Sequence, residues 1–287
     1  MDTCFHMRQM AKYEDFNFSV SRLTLNADCA PHQHDFNELE IILGGSAINS
    51  INGFAFPVGT GDLFVIGREA RHEIRQVDAL ELYNIAYDAS ALRSCNEDLR
   101  GLPGFHTLFA LDALYAGRSG IRMKLNPAVF AKVKTLLEEL HAEYTNGEAG
   151  FRSMIMCDFT RLLLILSRNC ESGEKAGSIG KIAHACAYIE REYLSDVNIG
   201  RLAASVFMSE RHFRRLFGQI YGMSPFAYIL SLRLAYACQL LRTTGQSITD
   251  IAMASGFSDD NYFTRYFKQK TGTTPGRYRS DGPKNPA

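Results

Sequence analysis

No stretch of this sequence carries the apolar run needed to cross a bilayer: the longest, such as Leu162 to Leu166, fall far short of the ~20 residues a spanning helix takes. That argues against a membrane protein. Residues Met1 to Met10 lack the apolar core of an export signal and carry His6 and Arg8 instead, so the expected location is the cytoplasm. Cysteine pairing motifs are missing too. Cys4, Cys29, Cys95, Cys157, Cys170, Cys186 and Cys238 include no Cys-x-x-Cys, which disfavours a zinc ribbon or a disulfide framework and fits reduced thiols. Nor is there net charge, since 31 Lys+Arg balance 31 Asp+Glu.

The balance hides a polarity. Residues 181 to 287 hold 14 basic against 8 acidic groups, leaving 17 against 23 in residues 1 to 180. A basic half joined to an acidic one is expected when only the former meets a phosphate backbone. The 287 residues are also enough for two modules with separate cores.

What is present, above all, is an internal repeat. Phe213, Arg215, Phe217, Gly222, Pro225 and Tyr228 recur as Phe263, Arg265, Phe267, Gly272, Pro275 and Tyr278. Upstream, Ile199, Leu202, Ala203 and Ser209 recur as Ile248, Ile251, Ala252 and Ser258. Each unit reads as a short helix, a tight turn and a longer helix. Ser209 is placed to cap the longer helix of the first unit; Ser247 and Ser258 are placed to cap the two helices of the second. With Phe213, Leu216, Phe217 and Ile220 inward, Arg211, Arg214 and Arg215 face out; with Phe263, Tyr266 and Phe267 inward, Asn261, Thr264, Arg265 and Lys268 do. A charged face opposite an aromatic stripe is what any surface helix shows. Two matched units that both expose groups able to read guanine, adenine or phosphate point instead to double-stranded DNA. Between them, Ser224-Pro225 starts a helix of about 17 residues, a rod of ~25 Å, comparable with the ~34 Å between successive major-groove faces.

The run Gly256-Phe257-Ser258-Asp259-Asp260-Asn261-Tyr262-Phe263-Thr264-Arg265-Tyr266-Phe267-Lys268, with Thr271-Gly272-Thr273-Thr274-Pro275 and Tyr278-Arg279, resembles the paired helix-turn-helix domain of the AraC/XylS family. The resemblance implies base contacts through the positions of Arg211, Arg214 and Arg215, and of Asn261, Thr264 and Arg265. Asp260 departs from the glutamine common there, and its carboxylate would repel phosphate.

From Phe18 to Tyr87 the pattern alternates, with turn signals at Asn26-Ala27-Asp28, Gly44-Gly45, Asn52-Gly53 and Gly59 to Asp62. The fold class is therefore α+β: an N-terminal antiparallel barrel over 15–120, then an all-α domain over 181–280. His32 and His34 share one face of a strand, and Glu38 and His72 can return to the same cavity. These four either bind a polar effector or ligate a divalent transition metal. Their spacing, with Gly45 and Gly61-Asp62, resembles the cupin barrel, in whose enzymes such residues hold a metal. Arg71, Arg75 and Tyr83 are further candidates for pocket hydrogen bonds.

The wider pattern, His32-Gln33-His34-Asp35-Phe36-Asn37-Glu38-Leu39, Gly61-Asp62-Leu63-Phe64-Val65-Ile66, Asn84-Ile85-Ala86-Tyr87 and Pro103-Gly104-Phe105, is similar to the branch holding the rhamnose regulators. It implies a ligand-responsive regulator, an activator of sugar or carbon-source genes, with a small-molecule effector and RNA polymerase as partners and no cofactor. A metal-dependent cupin enzyme fused to a DNA-binding domain is the alternative. Asn126-Pro127 opens a helix with Val129, Val133, Leu136, Leu137, Leu140 and Tyr144 on one side; Phe151, Ile155, Phe159, Leu162, Leu163 and Leu166 stripe a second. These faces exceed what a small barrel covers, so the pair at 126–170 is expected to form a homodimer. Residues 171–180, rich in Gly and Ser, read as the linker.

Overall fold

Period-two alternation over residues 18 to 87 builds six strands of an eight-stranded sheet in the computed structural model, which describes residues 3–93, 97–110, 121–170 and 177–281. Its strands are β1 (Thr3–Phe5), β2 (Phe18–Leu25), β3 (Cys29–His34), β4 (Asn37–Ile51), β5 (Phe54–Gly59), β6 (Asp62–Ile66), β7 (His72–Tyr87) and β8 (Ile121–Lys124). The hydrogen-bonded path runs β1-β3-β7-β4-β6-β8, with β2 added on β7 and β5 on β4. All pairs are antiparallel except β1 with β3.

The path does not return on itself, which corrects the expected closed barrel. The sheet closes by folding. Glu40 and Asn49 lie nine positions apart on β4, ~30 Å in a straight strand, yet Asn49 Nδ2 donates to Glu40 Oε2 at 3.0 Å. The fold falls where β4 slips register against β7, between Ile42 and Ile48. Gly44-Gly45, expected as a turn, is this bulge. Gly45 has φ +75, and a Cβ there would stand 2.1 Å from the Ala79 carbonyl, so glycine is required by both conformation and space. Asn52-Gly53 does form the expected hairpin turn, with φ 49 and 84 joining Ile51 to Phe54.

The bulge also changes which residues face inward. Glu38, Glu40 and Ile42 share the concave face, and beyond the bulge so do Ala47, Asn49 and Ile51. On the convex face Leu39, Ile41, Leu63, Val65, Tyr83, Ile85 and Tyr87 pack against two helices, α1 (Pro127–Asn146) and α2 (Phe151–Asn169). Asn126 accepts from the Val129 amide at 2.9 Å and Pro127 occupies the first turn; Gly147, at φ 64, ends α1.

The two helical stripes are buried in the chain's own core. The apolar surface that suggested self-association is thus covered by the sheet, which leaves the other faces of residues 126–170 for any pairing of chains.

The chain divides into two units, between His184 and Ala185. Of the expected linker, residues 171–176 lie outside the described residues, and Gly177 to Gly180 form the first turn of α3 (Gly177–Glu192). The second unit continues with α4 (Ile199–Ser205), α5 (Glu210–Tyr221), α6 (Pro225–Thr243), α7 (Ile248–Ala254), α8 (Asp260–Thr271) and α9 (Pro275–Asp281). The pairs α4–α5 and α7–α8 are the two halves of the repeat.

Candidate functional site

The concave face of the sheet encloses a cavity of about 180 Å³, lined by His32, Glu38, Glu40, His72 and Asn84 among apolar side chains that include Phe5 and Met10. His34 lies beside it and is fully buried. The four residues singled out from the sequence do meet. His34 Nδ1 donates to the Phe36 carbonyl at 2.7 Å, which aims Nε2 at Glu38 Oε2, 3.3 Å away. His72 Nε2 reaches the same oxygen at 3.5 Å. The His32 ring lies tilted against that of His72, ring centres 4.1 Å apart, and its Nδ1 donates to the Ala30 carbonyl at 3.0 Å.

Sequence reasoning missed Glu40, Asn49 and Asn84. Asn84 Nδ2 donates to Glu38 Oε1 at 3.2 Å. Glu40 was within reach of the argument, since it stands two residues from Glu38 on an alternating strand. Asn49 was not, because its inward direction depends on the bulge. Arg71, Arg75 and Tyr83 lie elsewhere: the first two are exposed, Arg75 bonds Glu73 at 3.3 Å, and Tyr83 packs on the convex face.

The two buried carboxyls of β4 are in opposite states. Burial would raise Glu38, but the bond and charge of His34, with His72 and Asn84, outweigh it and hold Glu38 at about 2. Burial, then the Glu38 charge, push Glu40 up to about 8 against the bond from Asn49. Burial draws the His72 imidazole down to about 3 in spite of Glu38. At neutral pH the cavity therefore offers an anionic acceptor, a neutral carboxyl and a neutral imidazole. Ionisation of Glu40 near 4.5 when unfolded, but near 8 when folded, means that the native state holds an extra proton in between, so this group's contribution falls as pH rises across that window. Glu40→Gln keeps the shape and cannot ionise. Its melting temperature should match the parent's near pH 5 and exceed it at pH 8, and an equal shift at both would contradict this protonation state.

Ligand atoms of His34, Glu38 and His72 all lie within 4.8 Å of one another. The His72 Nδ1 is buried without a hydrogen-bond partner among the described residues, and the His34 and His72 Nε2 atoms converge on Glu38 Oε2. Two imidazoles and a carboxylate so placed fit a divalent transition metal; His32 stands outside that group.

In the second unit, Ser209 accepts from the His212 amide at 3.3 Å and opens α5. Phe213, Phe217 and Ile220 are buried while Arg211, Arg214 and Arg215 are exposed. Arg214 Nε donates to Glu210 at 2.7 Å, and Arg215 reaches His212 Nδ1 at 3.2 Å. Ser247 caps α7 as expected, accepting from the Asp250 amide at 3.0 Å. Ser258 does not cap α8. Asp259 does, accepting from the Asn261 and Tyr262 amides at 2.8 and 2.9 Å, because a carboxylate can take two donors where a hydroxyl takes one. In α8, Phe263 and Phe267 are buried, Asn261, Arg265 and Lys268 are exposed, and Thr264 is half-buried. Asp260 turns back toward Thr249, 3.4 Å away. The connecting helix α6 has 19 residues, ~28 Å, opened by Ser224 and Pro225.

Residues 202–281 match a helix-turn-helix domain model, and residues 22–163 match an AraC-like ligand binding domain. The chain is 27% identical over 270 residues to the HTH-type transcriptional activator RhaR of Mannheimia succiniciproducens, covering 93% of each. It is 28% identical over 253 residues to the HTH-type transcriptional activator RhaS of Escherichia coli (strain SE11), covering 87% of each. Among solved structures, an AraC-type regulator from Chromobacterium violaceum is 34% identical over 39% of this chain and 99% of that one, with a TM-score of 0.34.

Proposed function

Since this chain belongs to the AraC family of DNA-binding transcription regulators, we propose that an effector in the β4–β7 cavity governs which DNA its two recognition helices grip. The observation that carries this reading is the matched pair α5 and α8, each anchored by two buried phenylalanines and each presenting basic side chains to solvent. Arg211, Arg214, Arg215, Asn261, Thr264 and Arg265 are assigned to base edges and Lys268 to phosphate. His32, His34, Glu38 and His72 are assigned to the effector, an uncharged polyhydroxyl compound such as a sugar being suited to a cavity that offers both acceptors and a neutral carboxyl. The relatives are activators, and activation of sugar or carbon-source genes, through contact with RNA polymerase, is the corresponding role here.

The mechanism is population shift: effector binding favours one arrangement of the sensing region (15–120) and helix pair (126–170), and through the linker (171–180) changes which half-sites the DNA-binding region (181–280) can bridge. A homodimer would use the outer faces of α1 and α2, where Met154 and Cys157 are exposed. The place of action is the cytoplasm; among the described residues no helix is long and apolar enough to cross a membrane.

A second reading, favoured by the His34–Glu38–His72 cluster, places a divalent metal in the sensor, where it would polarise a hydroxyl or carbonyl of a bound molecule, and a metal-dependent enzyme would use the same residues. One set of preparations tests both. Genomic fragments captured by the full chain supply the operator and its neighbouring genes, and footprints are then taken against a panel of sugars. Alanine at His34 or His72 should abolish the effector response and leave basal DNA affinity unchanged; full response in folded variants would overturn the cavity assignment. Metal content measured on the same proteins, purified without added metal, decides the second reading.

A further inference from the structure

The two helix-turn-helix units share one rod, α6, and a rod alone leaves the recognition helices free to differ in tilt and twist. The structure holds a second connection. Arg233, near the middle of α6, donates from all three guanidinium nitrogens: Nε to the Tyr193 carbonyl at 2.6 Å, Nη2 to the Ser195 carbonyl at 2.7 Å and Nη1 to the Gly256 carbonyl at 2.6 Å. The first two acceptors lie in the turn that follows α3 and leads into the first unit; the third is in the turn between α7 and α8 of the second unit. Short, charge-assisted bonds to three fixed carbonyls suit the planar fork of arginine and no other side chain.

Gly256 shows how closely the two turns are drawn together. Its φ is +80, and a Cβ at this position would lie 2.9 Å from Arg233 Nε and 3.0 Å from the Leu194 carbonyl. The turn of the second unit is therefore seated on the 193–195 turn of the first, with the guanidinium between them. None of Arg233's three bonds is made within α6, so stabilising that helix cannot be their purpose.

We propose that Arg233 is a positioning residue for DNA recognition, locking the two helix-turn-helix units into one rigid reader so that both boxes of an operator are engaged together. This rests on α5 and α8 being the DNA-reading helices. Without the lock, α6 still tethers the units, but the second box must be bound by a unit that has first to be oriented.

The test uses the full chain and a duplex selected by it from a random-sequence pool, alongside duplexes with either box scrambled and duplexes with one or two base pairs inserted between the boxes. Arg233→Met keeps the aliphatic stem. It should weaken binding to the intact duplex by about tenfold or more, leave binding to the one-box duplexes unchanged, and lessen the penalty of the insertions. Arg233→Lys, with one ammonium for three carbonyls, should fall between parent and Arg233→Met. An equal loss on one-box and two-box duplexes with the insertion penalty intact would mean a merely structural role, and no loss on either would mean no role; both overturn the proposal. A parent chain that binds one-box and intact duplexes equally would instead overturn the reading of α5 and α8 as paired readers, and the proposal with it.

Discussion

Alanine at Phe263 is expected to cost the C-terminal unit about 3–5 kcal/mol and to abolish binding by its second recognition helix. Phe263 is fully buried and meets Phe257 at 5.0 Å and Phe267 at 5.6 Å between ring centres, in a cluster completed by Leu230, Leu241, Ile251 and Tyr278. Those neighbours come from four helices and the turn between α7 and α8, so the space left by the ring cannot close by moving one side chain. A domain is typically stable by about 5–15 kcal/mol, which makes the loss a large part of the whole. Phe263→Leu refills most of the volume and should recover most of the stability. Thermal unfolding of the three proteins decides the point, and a Phe263→Ala chain that melts within a degree or two of the parent would show that the aromatic stripe does not hold α8 in place.

At the protein surface the largest effect is expected at Arg215 and Arg265, the arginines that the repeat places in register. Both are exposed, and loss of a base-reading arginine costs about 1–3 kcal/mol at its own base pair, roughly 5- to 150-fold in affinity. Their surroundings differ. Arg215 is held by His212 at 3.2 Å and Gln219 at 3.5 Å, whereas no partner is found for the Arg265 side chain among the described residues. Arg215 is thus presented in one pose and should discriminate bases more sharply; Arg265 must be ordered on binding. Lys268→Ala should weaken all sequences alike and lower the salt slope by about one unit. Affinities measured over base substitutions and salt concentrations separate these contributions. Folded Arg215→Ala and Arg265→Ala chains with unchanged affinity and base preference would refute the helix-turn-helix assignment of these surfaces.

The second unit was the more legible part of the sequence because its signals are local. A cap needs only the right residue at one position, and Ser209, Ser224 and Ser247 each occupy theirs. Even Ser258 fails by a single residue, to a stronger acceptor next door. In the first unit the decisive events join distant residues. Gly44-Gly45 carries the letters of a turn, and only the register of β7 against β4 makes it a bulge. The inward set survives because His32, His34 and Glu38 lie before the fold of β4 and His72 pairs directly with His32, while Asn49 lies beyond the fold. The apolar stripes of α1 and α2 were read correctly residue by residue, but their partner was not, since the breadth of the convex face is a property of the folded sheet. Arg233 leaves no trace in the sequence for a different reason: its acceptors are backbone carbonyls, which every residue carries.

Strand β4 has one further consequence. Its Glu38 and Glu40 enter the cavity while Leu39 and Ile41, alternating with them, are packed in the core that includes α1 and α2. Four consecutive residues thus belong to two compartments, and a stiff peptide backbone is their common axle. A molecule that pulls on either carboxyl group would press or relieve the helix layer behind it, and a change in that layer would alter the spacing of the two carboxyl groups. An effector bound at those carboxyl groups would act on the helix layer across the thickness of a single strand, about as short a path as a protein can make between what it tastes and what it moves.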